Sequence, residues 1–122
     1  MERVLGLGGA FWRSGEPERL KEWYRTRLGV EGEGELPWRQ QAGLTVFEPF
    51  PSDTSYFASD RQQVMFNFRV RDLDAMVAQL RSLGEEVRVD EPYPYGRFAR
   101  LHDPEGNAVE LWQPTGPGTD PE

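Results

Sequence analysis

The chain has no cysteine. Disulfides, thiolate metal sites and cysteine nucleophiles are therefore excluded. It has one histidine, His102, so a histidine triad or a multi-histidine metal centre would have to be built around that single ring. Positive charge is short: 14 Lys and Arg stand against 21 Asp and Glu, a formal net charge of −7, with a pI near 4.8. Such a surface is a poor match for a polyanion, and no nucleic-acid partner is expected. Long apolar runs are also missing. The longest, Val4 to Trp12, is interrupted by Gly6, Gly8 and Gly9 and is far too short to cross a membrane. No basic region followed by an apolar run and a cleavage site opens the chain, so the expected location is the cytoplasm.

What is present argues for a folded domain. A length of 122 residues with 4 Trp and 7 Phe is enough to bury a core without staples. Residues 1–113 read as one domain, and residues 114–122, rich in Pro, Gly and acid, as a disordered tail. Val4 to Trp12 is β-compatible. Glu16 and Pro17 open a helix, because proline at the first helical position has no donor to waste. Leu20, Trp23, Tyr24, Arg27 and Leu28 repeat at helical spacing, and Gly29 caps the end. Glu31, Glu33 and Glu35 alternate with glycine in a solvated loop. Leu36 to Gln40 and Leu44 to Glu48 read as short strands around Gly43, closed by Pro49 and Pro51.

Ser52 to Gln63 reads as a linker. In Val64 to Val70, Phe66, Phe68 and Val70 point one way and Met65, Asn67 and Arg69 the other. Asp72 caps a second helix whose apolar stripe is Leu73, Met76, Val77, Leu80 and Leu83, ended by Gly84. Val87 to Val89 is a short strand. Tyr95 to His102 and Asn107 to Gln113 form a hairpin around Asp103, Pro104, Glu105 and Gly106, a strong turn signal.

The order is therefore β-α-β-β-β twice, an internal repeat. The fold class is α+β. Two tandem βαβββ modules, about 1–51 and about 64–113 with a linker about 52–63, form a concave mixed sheet, and the helices cover its outer face. Alternation turns Glu110 and Trp112, Phe98, Arg100 and His102, and Met65, Asn67 and Arg69 toward the concave side. Phe11 and Arg13 are assigned inward from the first strand.

The run Tyr95 to Ala99 followed by Asp103 to Trp112 resembles the closing hairpin of the glyoxalase/bleomycin-resistance/extradiol-dioxygenase superfamily, the vicinal oxygen chelate fold. Arg71 to Gly84 resembles its second helix, and Trp23 to Gly29 the end of its first. The resemblance implies a cup and, in many members, a homodimer. Metal enzymes of that superfamily take ligands from the first and last strand of each module. Those positions fall here on Gly9, Thr45, Met65 and Glu110. Only Glu110 suits a hard or borderline cation, so no metal or other cofactor is expected. His102, beside the turn, is read as a hairpin residue.

Glu110 must then be paired, hydrated or protonated. Arg100 and Arg69 are its expected partners, either in a structural ion pair or in a ligand site. That site would use Asn67 for hydrogen bonding and Phe11, Phe47, Met65 and Trp112 as apolar walls. The segment Pro49 to Phe57 is aromatic-rich for a linker and reads as a lid or a partner contact, with Tyr93 and Tyr95 flanking the same opening.

Three functions stay open. The first is metal-independent binding of a small organic ligand, with the acidic surface favouring cationic molecules such as glycopeptide antibiotics. The second is a metal-dependent lyase, isomerase or dioxygenase. The third is a metal-free enzyme with Glu110 as general base and Arg100 or Arg69 holding an anionic intermediate.

Overall fold

The computed structural model describes residues 1–32 and 37–115. Its elements in chain order are α1 (Pro17–Leu28), β1 (Phe66–Arg69), α2 (Leu73–Ser82), β2 (Arg88–Val89), β3 (Gly96–His102) and β4 (Ala108–Pro114). The expectations at Glu33, Glu35 and Leu36, and most of the expected tail, lie outside the described residues.

Both helices end where local chemistry places their ends. Pro17 opens α1, and Gly29 closes it in the left-handed conformation at φ 71°, which costs glycine little. No side chain of Glu16 caps α1. Glu105 reaches over from the β3–β4 turn instead, accepting from Ser14 Oγ at 2.6 Å and from the Glu16 amide at 3.4 Å. Asp72 caps α2 by accepting from the Ala75 amide at 3.0 Å.

The four strands form one mixed sheet in the order β1-β4-β3-β2. β1 runs parallel to β4, with Asn67 opposite Glu110 and Arg69 opposite Trp112. β3 and β4 are antiparallel, with Arg100 opposite Glu110 and Phe98 opposite Trp112. This is a complete βαβββ unit, and its helix-side residues build the core. Leu20 and Tyr24 of α1 and Leu73 and Leu80 of α2 pack on Leu101 and Leu111 of the sheet. Each fully buried leucine contributes about 1.5–3 kcal/mol relative to exposure.

Outside that unit the structure departs from the expected strands. Val4 to Trp12, residues 37–40 and Leu44 to Glu48 join no strand ladder, and their side chains are exposed. Of the first expected module, only α1 is a regular element among the described residues. Glycine explains part of this: Gly6, Gly8 and Gly9 raise the entropic cost of ordering a strand and give a facing sheet no side chain to cover. The strand expected over Val64 to Val70 is shorter, and begins at Phe66.

Two buried polar groups tie the elements together. Asp103 accepts from Tyr24 Oη at 2.7 Å, from Asn107 Nδ2 at 2.9 Å, and from the amides of Glu105 at 2.9 Å and Asn107 at 3.0 Å. The Tyr24 hydroxyl is pushed well above the ordinary tyrosine range, first by burial and then by its bond to Asp103. Gln62 Nε2 donates to the Ala108 carbonyl at 2.9 Å, and Gln62 Oε1 accepts from the Ala108 amide at 3.0 Å. Its amide group thus serves as one more strand partner for β4.

Candidate functional site

Strand alternation sets the site. Val109 and Leu111 are buried on the helix side, so Ala108, Glu110 and Trp112 emerge on the opposite face. Strand register then aligns Asn67, Glu110 and Arg100 in one row across β1, β4 and β3. The next row holds Arg69, Trp112 and Phe98.

Glu110 is half-buried and hydrogen-bonded at both carboxylate oxygens. Asn67 Nδ2 donates to Oε1 at 2.7 Å, and the Tyr56 hydroxyl donates to Oε2. Tyr56 belongs to the segment expected to be a linker or lid, and it lies against this face of the sheet. The Arg100 guanidinium sits 4.3 Å from the centre of its ring and donates to its backbone carbonyl. The Tyr56 hydroxyl is pushed up above the ordinary tyrosine range, mainly by burial and then by Glu110. Phe50 packs beside Tyr56, with ring centres 5.8 Å apart.

An aromatic floor continues from this row. Phe98 and Trp112 stack with ring centres 6.1 Å apart and planes 4° apart. Tyr93 and Tyr95 stack on each other at 5.9 Å and meet Phe98 edge-on. Trp112 Nε1 donates to the Tyr95 carbonyl at 3.2 Å. Gly96 is required here, because a Cβ would stand 2.8 Å from the Gln113 carbonyl oxygen and collide with the Trp112 ring.

The expected arginine partners of Glu110 are corrected by this geometry. Arg100 is occupied by Tyr56, and Arg69 donates to the carbonyls of Gln41 at 3.0 Å and Ala42 at 3.4 Å. Phe11 and Phe47 are 96% and 80% exposed, so neither is a packed wall. They line, with Met65, Asn67, Arg69 and Trp112, an open cleft of about 2780 Å³. Sites fitted to drug-sized ligands are about 300–1,000 Å³, so this cleft is wider than one such molecule fills. Glu110 and Arg100 do not line it. Arg100 and His102 instead border a smaller groove of about 740 Å³ at the β2 edge, with Arg81 and Arg88.

The metal positions implied by the resemblance do not fit a cation. Gly9 and Thr45 are exposed, Met65 offers a soft thioether, and both oxygens of Glu110 are engaged. Among the described residues, no three Asp, Glu or His side chains gather to hold an ion.

Sequence reasoning missed Tyr56 as a neighbour of Glu110. The one available signal was aromatic density in Pro49 to Phe57. It also missed Asp103 as the buried acceptor for Tyr24 and Gln62 as the strand mimic, because long-range pairings leave no periodic trace.

A family model for the glyoxalase-like domain matches residues 9–112. A search of curated proteins finds no match. Three solved structures are similar. A glyoxalase/bleomycin resistance protein from Streptomyces sp. CB03234 is 38% identical over 39% of this chain, with a TM-score of 0.37; the match spans 42% of that protein's length. TnmS3, an antibiotic binding protein from the same Streptomyces, is 21% identical over 83% of this chain and 88% of its own, with a TM-score of 0.53. A protein of Bacillus anthracis described as glyoxalase family is 22% identical over 83% of this chain and 86% of its own, with a TM-score of 0.54. The last two share the fold. No helix among the described residues is long and apolar enough to cross a membrane.

Proposed function

Given that the chain belongs to the glyoxalase-like domain family, we propose that it binds a small organic molecule on the concave face of its sheet without a metal ion. One observation carries the reading. A half-buried carboxylate, Glu110, is held by Asn67 and Tyr56, with Arg100 opposite it on β3 and the aromatic pair Phe98 and Trp112 in the next row. A few convergent polar groups on apolar walls are what small-molecule sites require. The donor set at the family's metal positions supports the metal-free part, since glycine, threonine and methionine are weak partners for a hard cation. TnmS3 is an antibiotic binding protein, so antibiotics come first among candidate ligands.

A metal-free enzyme is the second reading, with Glu110 as base and Arg100, on the next strand, facing an anionic intermediate. A homodimer belongs to the same proposal. Exposed Val4, Leu5, Leu7, Val46 and Phe47 leave apolar surface that a second copy would cover. A cytoplasmic location goes with it, as a chain without cysteine gains nothing from an oxidising compartment.

The test is a thermal-shift screen of antibiotics and other small organic molecules, with Glu110→Gln as control. A ligand that binds the native state alone raises the melting temperature, and the variant should lose that rise. Tight one-to-one binding of Zn, Ni, Mn or Fe(II), lost in Glu110→Ala, would overturn the metal-free reading.

A further inference from the structure

We infer that the ligand recognised by this face is a hydroxylated planar aromatic molecule, and that Tyr56 is its internal stand-in. The inference rests on the reading of the face as an organic-ligand site and names the ligand class. The face already recognises a phenol. The Tyr56 hydroxyl donates to Glu110, its ring lies under the Arg100 guanidinium, and Phe50 packs beside it with ring centres 5.8 Å apart. Each of these contacts is made to a feature of a hydroxyaryl group. The carboxylate accepts from a hydroxyl, the cation faces a π-system, and an aromatic ring favours a planar neighbour.

Receptor and occupant differ in how they are held. Glu110, Arg100, Phe98 and Trp112 stand on β3 and β4, whose register is fixed along seven residue pairs. Tyr56 stands in a strap without helix or strand, between Pro49 and Gln63. The strap is pinned to β4 at its far end by Gln62 on Ala108, whereas around Tyr56 itself the bonds are local: the Tyr56 amide donates to Thr54 Oγ1 at 3.2 Å and the Thr54 amide to the Pro51 carbonyl at 3.0 Å. A rigid receptor with a locally held occupant is the arrangement in which an external molecule of the same chemistry displaces the occupant.

Glu110 also selects the protonation state. Burial first, and then the adjacent carboxylate, favour the neutral, donating form of a phenol here, as they do for Tyr56 against the opposing charge of Arg100. The displacing ligand is therefore bound as the neutral phenol. A phenolate or an aryl carboxylate meets like charge at Glu110, offset only in part by Arg100, and binds more weakly.

The experiment uses 4-nitrophenol and its methyl ether, 4-nitroanisole, on wild type, Tyr56→Ala and Tyr56→Ala/Glu110→Gln. Tyr56→Ala should bind 4-nitrophenol more tightly than 4-nitroanisole by about tenfold or more, the worth of a hydrogen bond to a charged group. Above the probe's own pKa, binding should bleach the yellow phenolate band. The double variant should lose both the preference and the bleaching. Equal binding of the two probes by Tyr56→Ala overturns the hydroxyaryl inference and leaves the organic-ligand reading standing. No binding of either probe by any variant also overturns the hydroxyaryl inference, and the organic-ligand reading then stands or falls on the thermal-shift screen.

The wild type gives an arm that does not depend on a variant folding. Arg61 is exposed in the strap. Displacement of Tyr56 by saturating 4-nitrophenol should speed tryptic cleavage after Arg61, whereas 4-nitroanisole should not. An unchanged cleavage rate at saturation overturns the stand-in role.

Discussion

Replacing Tyr24 by Phe removes one hydroxyl and little else. That hydroxyl donates to Asp103 at 2.7 Å, and both residues are only 4% exposed. Asp103 keeps its bonds to Asn107 and to the Glu105 amide, so the carboxylate is weakened rather than stranded. A hydrogen bond to a charged group contributes roughly 1.5–3 kcal/mol, so a loss of about 2 kcal/mol is expected at neutral pH. For a domain of this size that is roughly 8 °C in Tm. The pH dependence carries a second signature. The folded-state pKa of Tyr24 is raised, by burial first and Asp103 second, above the ordinary value of about 10. Its contribution is therefore complete below about pH 10 and is lost as pH rises toward the folded value. In that window the unfolded chain ionises and the folded one does not, which removes about 1.4 kcal/mol per pH unit. Urea denaturation from neutral pH to about pH 11 should show the wild type losing this increment and Tyr24→Phe lacking it. A cost below about 0.5 kcal/mol, with an unchanged alkaline limb in the variant, would refute the reasoning for this buried pair.

Other perturbations follow from single contacts. Gly96→Ala should cost about 1–3 kcal/mol through overpacking against the Gln113 carbonyl and Trp112, read by chemical denaturation. The change should also shift tryptophan fluorescence. Gln62→Leu strips the amide and the carbonyl of Ala108 of their partner, and about 1–3 kcal/mol of stability for each stranded group should go with it. Hydrogen exchange at Ala108 should accelerate in that variant. Chelator-treated protein titrated calorimetrically with Zn, Ni, Mn and Fe(II) should show no tight one-to-one binding that Glu110→Ala abolishes. Asp72→Ala removes the α2 cap and should cost about 1 kcal/mol, as a lower midpoint at unchanged slope.

Much of the second half of the chain was legible from residue order. Alternation assigned Asn67, Glu110, Arg100, Phe98 and Trp112 to one face, and the structure puts them there in adjacent rows. Proline, glycine and aspartate marked both helices, and the Asp103 to Gly106 turn marked the hairpin. These are local signals: each needs only the spacing of side chains along one element. The strand expectations over Val4 to Trp12 and Leu44 to Glu48 rested on β-compatible apolar residues and on turn and proline signals, and found no ladder among the described residues. A strand needs a partner as well as a pattern, and glycine-rich segments specify their partner weakly.

Composition and periodicity by themselves determined that this is a cysteine-free, acidic α+β chain, with Glu110 standing on a face of its sheet among aromatic residues. Only the tertiary structure decided what Glu110 touches. Its partners are Asn67 and Tyr56, 43 and 54 residues away, rather than either arginine. The physical reason is that a hydrogen bond depends on ångström-scale placement of two groups, and a strap without helix or strand has no period from which that placement could be read. The same holds for Tyr24 on Asp103 and Gln62 on Ala108, 79 and 46 residues apart. Local spacing determines which way a side chain points, whereas chain folding determines what it meets.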